Sequence, residues 1–210
     1  MATPRIQHYF DYKSPYAWLA QSENDRLESE YGVMIERLPY TLDIPSYLGS
    51  AEVDASGVVL REARNAHQWR RVRYSYMDCR REANRRGLVL RGPRRIFDSS
   101  TAHIGFLFAA RTGAWQAYHE AVYTAFWRRE LEIESVAAIT DVLARCGVMT
   151  ADFPAWLAGE GRALHDDLRA AAEAAGVFGV PSWVVDGELF WGAERVPRVI
   201  EQIVARRAAR

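Results

Sequence analysis

The stretch Phe10-Asp11-Tyr12-Lys13-Ser14-Pro15-Tyr16-Ala17-Trp18-Leu19-Ala20 decides the fold, because it joins a strand pattern to a helix pattern. The residues before it are rich in β-branched and aromatic types, which is typical of a short strand. Ser14 can cap the helix that follows, and Pro15 suits the first helical position, where no backbone N–H is needed. A hydroxyl held there lies over positive backbone N–H groups. Taken alone, a Ser-Pro pair more often marks an ordinary N-cap than a functional hydroxyl.

The residues that follow complete a βαβ unit. Apolar residues recur at helical spacing as far as Tyr31, and Gly32 is a suitable helix end. Val33 to Tyr40 then has the pattern of a second strand. We expect the two strands to be parallel and joined by a right-handed crossover.

The last third of the chain returns to alternating helix and strand patterns. A helix is predicted from Gly161 to Ala175. Asp186-Gly187 lies between two β-rich runs, which is a strong hairpin signal. Pro181 cannot donate a ladder hydrogen bond and is therefore expected at a strand end. A final helix is predicted from about Glu194 to Ala208.

The middle of the chain has a different character. A loop rich in Ser, Gly, Asp and Pro is predicted from about Asp43 to Gly57. From about Leu60 to Val148 the patterns are helical, so we predict an all-helical insertion. The order βαβ, insertion, αββα predicts an α/β thioredoxin-like fold. Residues 1–43 and 155–210 are assigned to the thioredoxin-like domain, and residues 44–154 to the helical insertion domain.

Composition excludes several functional classes. The chain has 210 residues, 49% of them hydrophobic and 26% charged, which fits a globular protein with one sizeable core. Its formal net charge of zero gives no reason to expect nucleic acid or an acidic membrane as a partner. Cys79 and Cys146 lie far apart and the histidines lack metal-ligand spacing, so no metal is expected. Because no signal-peptide pattern or apolar run of about 18 residues is present, we expect a cytoplasmic protein with reduced thiols.

One segment is rich in arginine. Residues 61–95 contain twelve arginines against three acidic residues. The favoured interpretation is a solvent-exposed helix face. Alternatively, a few of these arginines make the mouth of a site positive for anionic substrates.

Three segments together resemble one family. They are the opening stretch from Asp11 to Ala20; Gly176-Val177-Phe178-Gly179-Val180-Pro181-Ser182-Trp183-Val184-Val185 with Phe190-Trp191-Gly192-Ala193-Glu194-Arg195; and, more weakly, Tyr74-Ser75-Tyr76-Met77-Asp78-Cys79-Arg80-Arg81-Glu82-Ala83. In this order they resemble the kappa-class glutathione transferases and 2-hydroxychromene-2-carboxylate isomerases. The resemblance spans essentially the whole chain. It implies a DsbA-type thioredoxin fold with a helical insertion, in which Ser stands where redox relatives have the first Cys of CxxC.

The resemblance implies that glutathione is the cofactor. The hydroxyl of Ser14 would hydrogen-bond the glutathione sulfur and favour its thiolate, without acting as a nucleophile itself. Pro181 matches the family's cis-proline. Beside it, the backbone of Val180 would pair with the glutathione backbone like an added strand.

Further residues match positions that hold the ends of glutathione in the family. Glu194 and Arg195 match an acid–arginine pair, of which the acid would meet the γ-glutamyl ammonium. Arg71 stands where the family commonly has a lysine near a glycyl or substrate carboxylate, and an arginine fork can hold a carboxylate equally well.

Candidate substrate contacts come from aromatic side chains and one cation: Tyr12, Lys13, Tyr16, Trp18, Tyr76, Trp183 and Trp191. Each aromatic residue alone is more often part of a core than of a pocket. Two substrate-side segments depart from the family. Residues 41–68 lack its Asn-rich and Pro-rich elements, and Phe97-Asp98-Ser99-Ser100 lacks the proline and asparagine found there.

The resulting prediction is a glutathione-dependent isomerase of a small aromatic or unsaturated carboxylate, in which the cofactor thiolate adds reversibly to the substrate. One alternative is a kappa-like glutathione transferase, and another is a non-catalytic thioredoxin-fold binding module. A disulfide oxidoreductase is disfavoured because CxxC is absent; it would need Cys79 or Cys146 near Ser14. The expected partners are glutathione, a small organic substrate and a second copy of the chain in a homodimer.

Overall fold

Two small sheets and ten α-helices make up the part of the chain described by the computed structural model, residues 5–208. The strands in chain order are β1 Ile6–Phe10, β2 Ile35–Pro39, β3 Ala51–Val53, β4 Val59–Glu62, β5 Ser182–Val185 and β6 Glu188–Trp191. The helices are α1 Pro15–Leu19, α2 Gln21–Tyr31, α3 Ile44–Leu48, α4 Ala66–Arg85, α5 Ser100–Ala110, α6 Trp115–Trp127, α7 Val136–Arg145, α8 Phe153–Ala158, α9 Glu160–Ala174 and α10 Val196–Ala208.

The larger sheet has the strand order β2-β1-β5-β6. β1 runs parallel to β2 and antiparallel to β5, and β5 and β6 form a hairpin around Asp186-Gly187. The parallel pair and the hairpin predicted from sequence are both confirmed. Asp186 and Gly187 have φ of 48° and 92°, the positive backbone angles that a tight hairpin turn needs.

The sequence predicts a single helix after Ser14, but the structure has two, α1 and α2, separated at Ala20. Side chains take up the carbonyl groups at the division: Gln21 Nε2 donates to Ala17 O at 2.8 Å, and Ser22 Oγ donates to Leu19 O at 3.3 Å. Such side-chain bonds compete with the helical ladder. Gly32, with φ of 54°, ends α2 as expected.

The insertion is helical, with one addition that corrects the sequence-based assignment. The segment assigned to a loop and the start of a helix contains α3 and the antiparallel hairpin β3–β4. All four residues of β4 are exposed in the structure. Its sequence therefore lacks the alternation of apolar and polar residues by which a half-buried strand is recognised. Asp54 builds the turn, because its Oδ1 accepts the N–H groups of Ser56 and Val58.

Two apolar cores lie on opposite faces of the larger sheet. The larger core packs Phe10 and Leu38 against insertion residues such as Ile104 and Trp127. The smaller core packs the other face against α2 and α10. The helical insertion therefore shares a core with the sheet, and the division at residues 43/44 and 154/155 stays a prediction. Within residues 5–208, the structure has no helix with the length and apolar character needed to cross a membrane.

Buried histidines are built into both cores. His8 hydrogen-bonds Asn24 Nδ2 at 3.1 Å, and Asn24 Oδ1 accepts the indole N–H of Trp183 at 2.8 Å. Burial, with a smaller contribution from Arg37, lowers the pKa of His8 from 6.5 to about 3. Burial likewise lowers the pKa of His103 well below its usual value, so these rings are neutral in the folded protein at neutral pH.

This burial predicts that the protein loses stability in mild acid. Between pH 6.5 and about 3, His8 is protonated in the unfolded chain and neutral in the folded one. Its contribution to stability is therefore complete above pH 6.5 and declines by about 1.4 kcal/mol per pH unit below it. We expect the free energy of unfolding of His8→Gln, measured by urea titration at several pH values, to depend less steeply on pH than that of the wild type. Below pH 6.5 the two slopes should differ by about 1.4 kcal/mol per pH unit. The exposed His67→Gln serves as control, and equal slopes for both variants would contradict the prediction.

Candidate functional site

A cavity of about 860 Å³ lies where the turn before α1 faces the insertion. One side consists of the turn itself, the segment before β5 and the end of β6. The opposite side consists of α3, α4, the loop 92–97 and Arg129, which lies two residues after the end of α6. Of the residues predicted to form the site, the cavity lining contains Lys13, Ser14, Tyr16, Arg71, Tyr76, Val180 and Trp191.

Ser14 is both a helix cap and a wall of the cavity. Its Oγ accepts the N–H of Ala17 at 3.2 Å, so the predicted capping role is present. Among residues 5–208, the Ser14 hydroxyl proton has no acceptor. The side chain is nearly buried, with 5% relative exposure, and this one polar group remains available to a molecule in the cavity.

A buried carboxylate that sequence analysis did not single out holds this turn in place. Asp11 accepts the N–H of Lys13 at 3.1 Å and the N–H of Leu42 at 2.8 Å. The ammonium of Lys13 lies 3.5 Å from Asp11 Oδ2, and both side chains are buried. Lys13 also lines the cavity, so a buried ammonium–carboxylate pair adjoins Ser14. The only signal in the sequence is the Asp-x-Lys-Ser spacing after a strand.

A chain of buried polar groups supports Asp11 from behind. His103 Nε2 lies 3.5 Å from Asp11 Oδ1, and His103 Nδ1 lies 2.8 Å from Thr41 Oγ1. Thr41 Oγ1 lies 2.9 Å from His165 Nε2 as well. Because each buried polar group has a partner, Asp11 has one defined position.

The segment before β5 has the geometry that the resemblance implies. The Val180–Pro181 peptide bond is cis, as predicted. Within residues 5–208, the backbone N–H and C=O of Val180 have no hydrogen-bond partner, and Val180 faces the cavity. The ring of Trp191 packs so close to Gly179 that a Cβ there would lie 2.7 Å from its Nε1. An open backbone edge thus lies beneath an aromatic wall.

Three of the predicted substrate contacts lie outside the cavity lining: Tyr12 and Trp183 are buried in the cores, and Trp18 is a partly buried side chain packed against the larger core. Tyr12 is fully buried and its hydroxyl lies 3.0 Å from His119 Nδ1. Trp183 is fully buried on the far face of the sheet. Trp18 stacks on Trp127, with ring centroids 6.2 Å apart, and is not part of the cavity lining. In each case the burial of a large apolar ring outweighs a place at a half-exposed site.

Glu194 and Arg195 also lie outside the lining. They form a short 3-10 turn after Trp191, and both side chains are exposed. The Glu194 carboxylate lies close over Gly192, where it leaves no room for a Cβ. Their predicted contact with a glutathione terminus stays a prediction.

The arginine-rich segment contributes more to the cavity than its favoured interpretation suggests. Seven arginines line the cavity: Arg64, Arg71, Arg73, Arg80, Arg94, Arg95 and Arg129. No Asp or Glu side chain belongs to the lining formed by the described residues. Six of the seven arginines belong to the arginine-rich segment, and Arg129 lies outside it. Sequence density alone could not separate these arginines from outward-facing neighbours such as Arg81, because the packing of α4 and of the segments beside it decides which side each faces.

Neither cysteine is placed for disulfide chemistry at Ser14. Cys79 is buried, and burial raises the pKa of its thiol to about 12. Burial also raises the pKa of Cys146. Neither residue belongs to the cavity lining that contains Ser14. Both therefore stay protonated thiols with low reactivity at neutral pH.

Comparisons with known proteins agree with this fold. The chain is 24% identical over 196 residues to a 2-hydroxychromene-2-carboxylate isomerase of Pseudomonas putida, covering 91% of this chain and 90% of the relative. It is 28% identical over 202 residues to the protein of that name in Sphingobium xenophagum, covering 92% and 95%. These matches confirm the resemblance stated from the motifs.

Solved structures extend the comparison to the fold. A structure of a 2-hydroxychromene-2-carboxylate isomerase matches with a TM-score of 0.72 at 22% identity, covering 97% of both chains. A probable DsbA oxidoreductase from Streptomyces coelicolor matches with a TM-score of 0.72 at 18% identity, covering 96% of this chain and 90% of the other. Residues 5–204 match the model of the DSBA-like thioredoxin domain. The protein is thus a member of the DSBA-like thioredoxin domain family, with the thioredoxin fold and helical insertion predicted from its sequence.

Proposed function

We propose that this protein is a glutathione-dependent isomerase of a small aromatic or unsaturated carboxylate, similar to the 2-hydroxychromene-2-carboxylate isomerases. One observation carries the proposal. The unpaired Ser14 hydroxyl proton and the open Val180 backbone face the same cavity, and its charged lining residues are cationic. The names of the curated relatives support the reaction class.

The residues of the cavity fit glutathione. A peptide needs a backbone edge to pair with, and Val180 offers a donor and an acceptor beside the cis-proline. The carboxylates of the tripeptide need cations, and Arg71 lies in the lining as the resemblance implies. When bound, glutathione would supply the sulfur nucleophile for a reversible addition to the substrate.

The side chains of the protein would hold and orient the reactants. With glutathione bound, the Ser14 hydroxyl would donate a hydrogen bond to the sulfur, and the ammonium of Lys13, paired with Asp11, would further favour the anionic form. α1 is short, so this hydroxyl and this ammonium, more than a helix dipole, stabilise the charge. Tyr16 donates to Asp78 Oδ2 at 3.1 Å, and burial raises the pKa of its phenol, which remains a neutral wall of the site.

Two related proposals concern assembly and location. The homodimer rests on the resemblance, because members of the family are usually dimers, and the cytoplasmic location rests on the expectation of reduced thiols. Protonated, poorly reactive thiols at Cys79 and Cys146 are compatible with a reducing compartment.

The direct test is isomerisation of 2-hydroxychromene-2-carboxylate with and without glutathione. We expect turnover only when glutathione is present. Conjugate formation without isomerisation would favour the kappa-like transferase. Absence of both glutathione binding and turnover would favour a non-catalytic thioredoxin-fold module.

Removal of the Ser14 hydroxyl should destabilise the thiolate form of bound glutathione. In Ser14→Ala, the pKa of bound glutathione should rise by about one to two units, because a hydrogen bond to a charged sulfur is lost. The measurement is a pH titration of thiolate ultraviolet absorbance. Ser135→Ala is a matched control. Ser135 caps α7 in the same way as Ser14 caps α1, because its Oγ accepts the N–H of Ala138, the third residue of the helix, at 3.2 Å. An unchanged pKa in Ser14→Ala would contradict the proposed role.

Arg71 should contribute to glutathione affinity. Calorimetry should show about tenfold weaker binding for Arg71→Gln, because an ion pair with a carboxylate is lost. Arg70→Gln is the control, because Arg70 is the exposed neighbour of Arg71 on α4 and is not part of the cavity lining. Glu194→Ala tests the other end of the tripeptide, and unchanged affinity there would remove Glu194 from the binding site.

A further inference from the structure

Four arginines gather at the end of the cavity formed by the insertion. They constitute what we call the arginine subsite: Arg64, Arg80, Arg94 and Arg129. The guanidinium of Arg80 lies 5.8 Å from the ring centre of Tyr76, which also lines the cavity. Gly92 lets this ring pack against the loop, because a Cβ there would lie 3.1 Å from Tyr76 Cε1. The subsite is therefore a flat aromatic surface surrounded by cations.

These arginines have no counter-charge. Within residues 5–208, none of the four forms an ion pair with a carboxylate, and no acidic side chain lines the cavity. By contrast, Arg95 in the same lining is paired with Glu132 and Glu134. The protein thus neutralises a neighbouring arginine but leaves the subsite positive.

Two of the side chains are tethered so that their outer nitrogens remain available. Arg64 Nε donates to Leu48 O at 3.1 Å, and Arg129 Nε donates to Gly92 O at 2.7 Å. Neither terminal NH₂ group of these residues has a partner among the described residues. A guanidinium held by Nε in this way can still offer its outer N–H groups to a planar carboxylate.

Arg129 is partly buried beside other arginines, and a bound anion would reduce the electrostatic repulsion between them. Burial and the adjacent charges of Arg94, Arg80 and Arg91 lower the pKa of Arg129. Arg129 also has a positive φ of 62°, a backbone conformation in which glycine would be under less strain. The Nε bond to Gly92 O holds Arg129 in this position, and an anion in the cavity would offset the repulsion from the neighbouring arginines.

The subsite is additional to the residues assigned to glutathione. Its four arginines all belong to the insertion, whereas Ser14, Val180 and Trp191 belong to the sheet side of the cavity. Lys13 and Arg71 already provide cations for the thiolate and for one carboxylate. A substrate with a single carboxylate would leave most of the remaining charge without a partner.

We propose that the arginine subsite binds a second carboxylate of the substrate, so that the preferred substrate is an aromatic or unsaturated dicarboxylate. The placement of its reacting carbon near Ser14 rests on the proposed function. The affinity for a dicarboxylate does not, because the subsite needs no glutathione.

The test compares two probes, benzoate and benzene-1,3-dicarboxylate, by quenching of the fluorescence of Trp69 and Trp191, which line the cavity. We expect wild-type protein to bind the dicarboxylate at least about tenfold more tightly than benzoate. Arg80→Gln and Arg129→Gln should reduce this ratio to about twofold or less, and Arg80→Lys should retain part of it. Arg81→Gln is the control, because it removes one charge from α4 outside the lining and should keep the wild-type ratio.

The outcomes separate the two proposals. Equal affinity for both probes, binding of neither, or an unchanged ratio in both Arg80→Gln and Arg129→Gln would overturn the dicarboxylate subsite. A ratio lost equally in Arg81→Gln would do the same, because it would show general electrostatic attraction. A dicarboxylate preference in a protein that binds no glutathione would support the subsite and contradict the proposed function. Circular dichroism of each variant verifies that it is folded.

Discussion

The buried carboxylate of Asp11 is the constraint on which the site depends. It accepts the backbone N–H of Lys13 in the turn after β1 and the backbone N–H of Leu42 after β2, and it faces the Lys13 ammonium. These contacts join the ends of the two parallel strands to the start of α1. A buried charge is tolerated only when such partners surround it, so the same interactions that stabilise Asp11 also fix Ser14 at the cavity.

The cavity has two halves with different chemistry, since they come from different parts of the fold. The sheet side offers a hydroxyl, an open backbone edge and an aromatic ring, which suit a peptide thiol. The insertion offers cations and the ring of Tyr76, which suit a flat anion. Because one core packs the insertion onto the sheet, the two halves meet in a fixed relation. Under the proposed function, the two halves would bring the sulfur of glutathione and an anionic substrate together in a thioredoxin fold that lacks CxxC.

Local signals explain which predictions succeeded. The Asp186-Gly187 hairpin and the cap at Ser14 depend on residues adjacent in sequence, whose backbone preferences act over short range. The parallel β1–β2 pair followed from the strand–helix–strand order and the general rule for such crossovers. The hairpin β3–β4 was missed because neither strand alternates between buried and exposed residues: β3 is half-buried throughout and β4 is exposed throughout. The cis bond before Pro181 followed from the family motif, since an X-Pro bond is trans by default.

By itself, the sequence determined the fold family and the order of the strands and main helices of the thioredoxin-like part, because turns, caps and hydrophobic spacing are local properties. Only the tertiary structure decided which side chains face the cavity. Tyr12 and Trp18 are near Ser14 in the chain but lie outside the cavity lining, Tyr12 in the core and Trp18 packed against it, whereas Arg64 and Arg129 are distant in sequence and line the same space. The direction of a side chain is set by the helices packed around it, and no spacing within one segment contains that information.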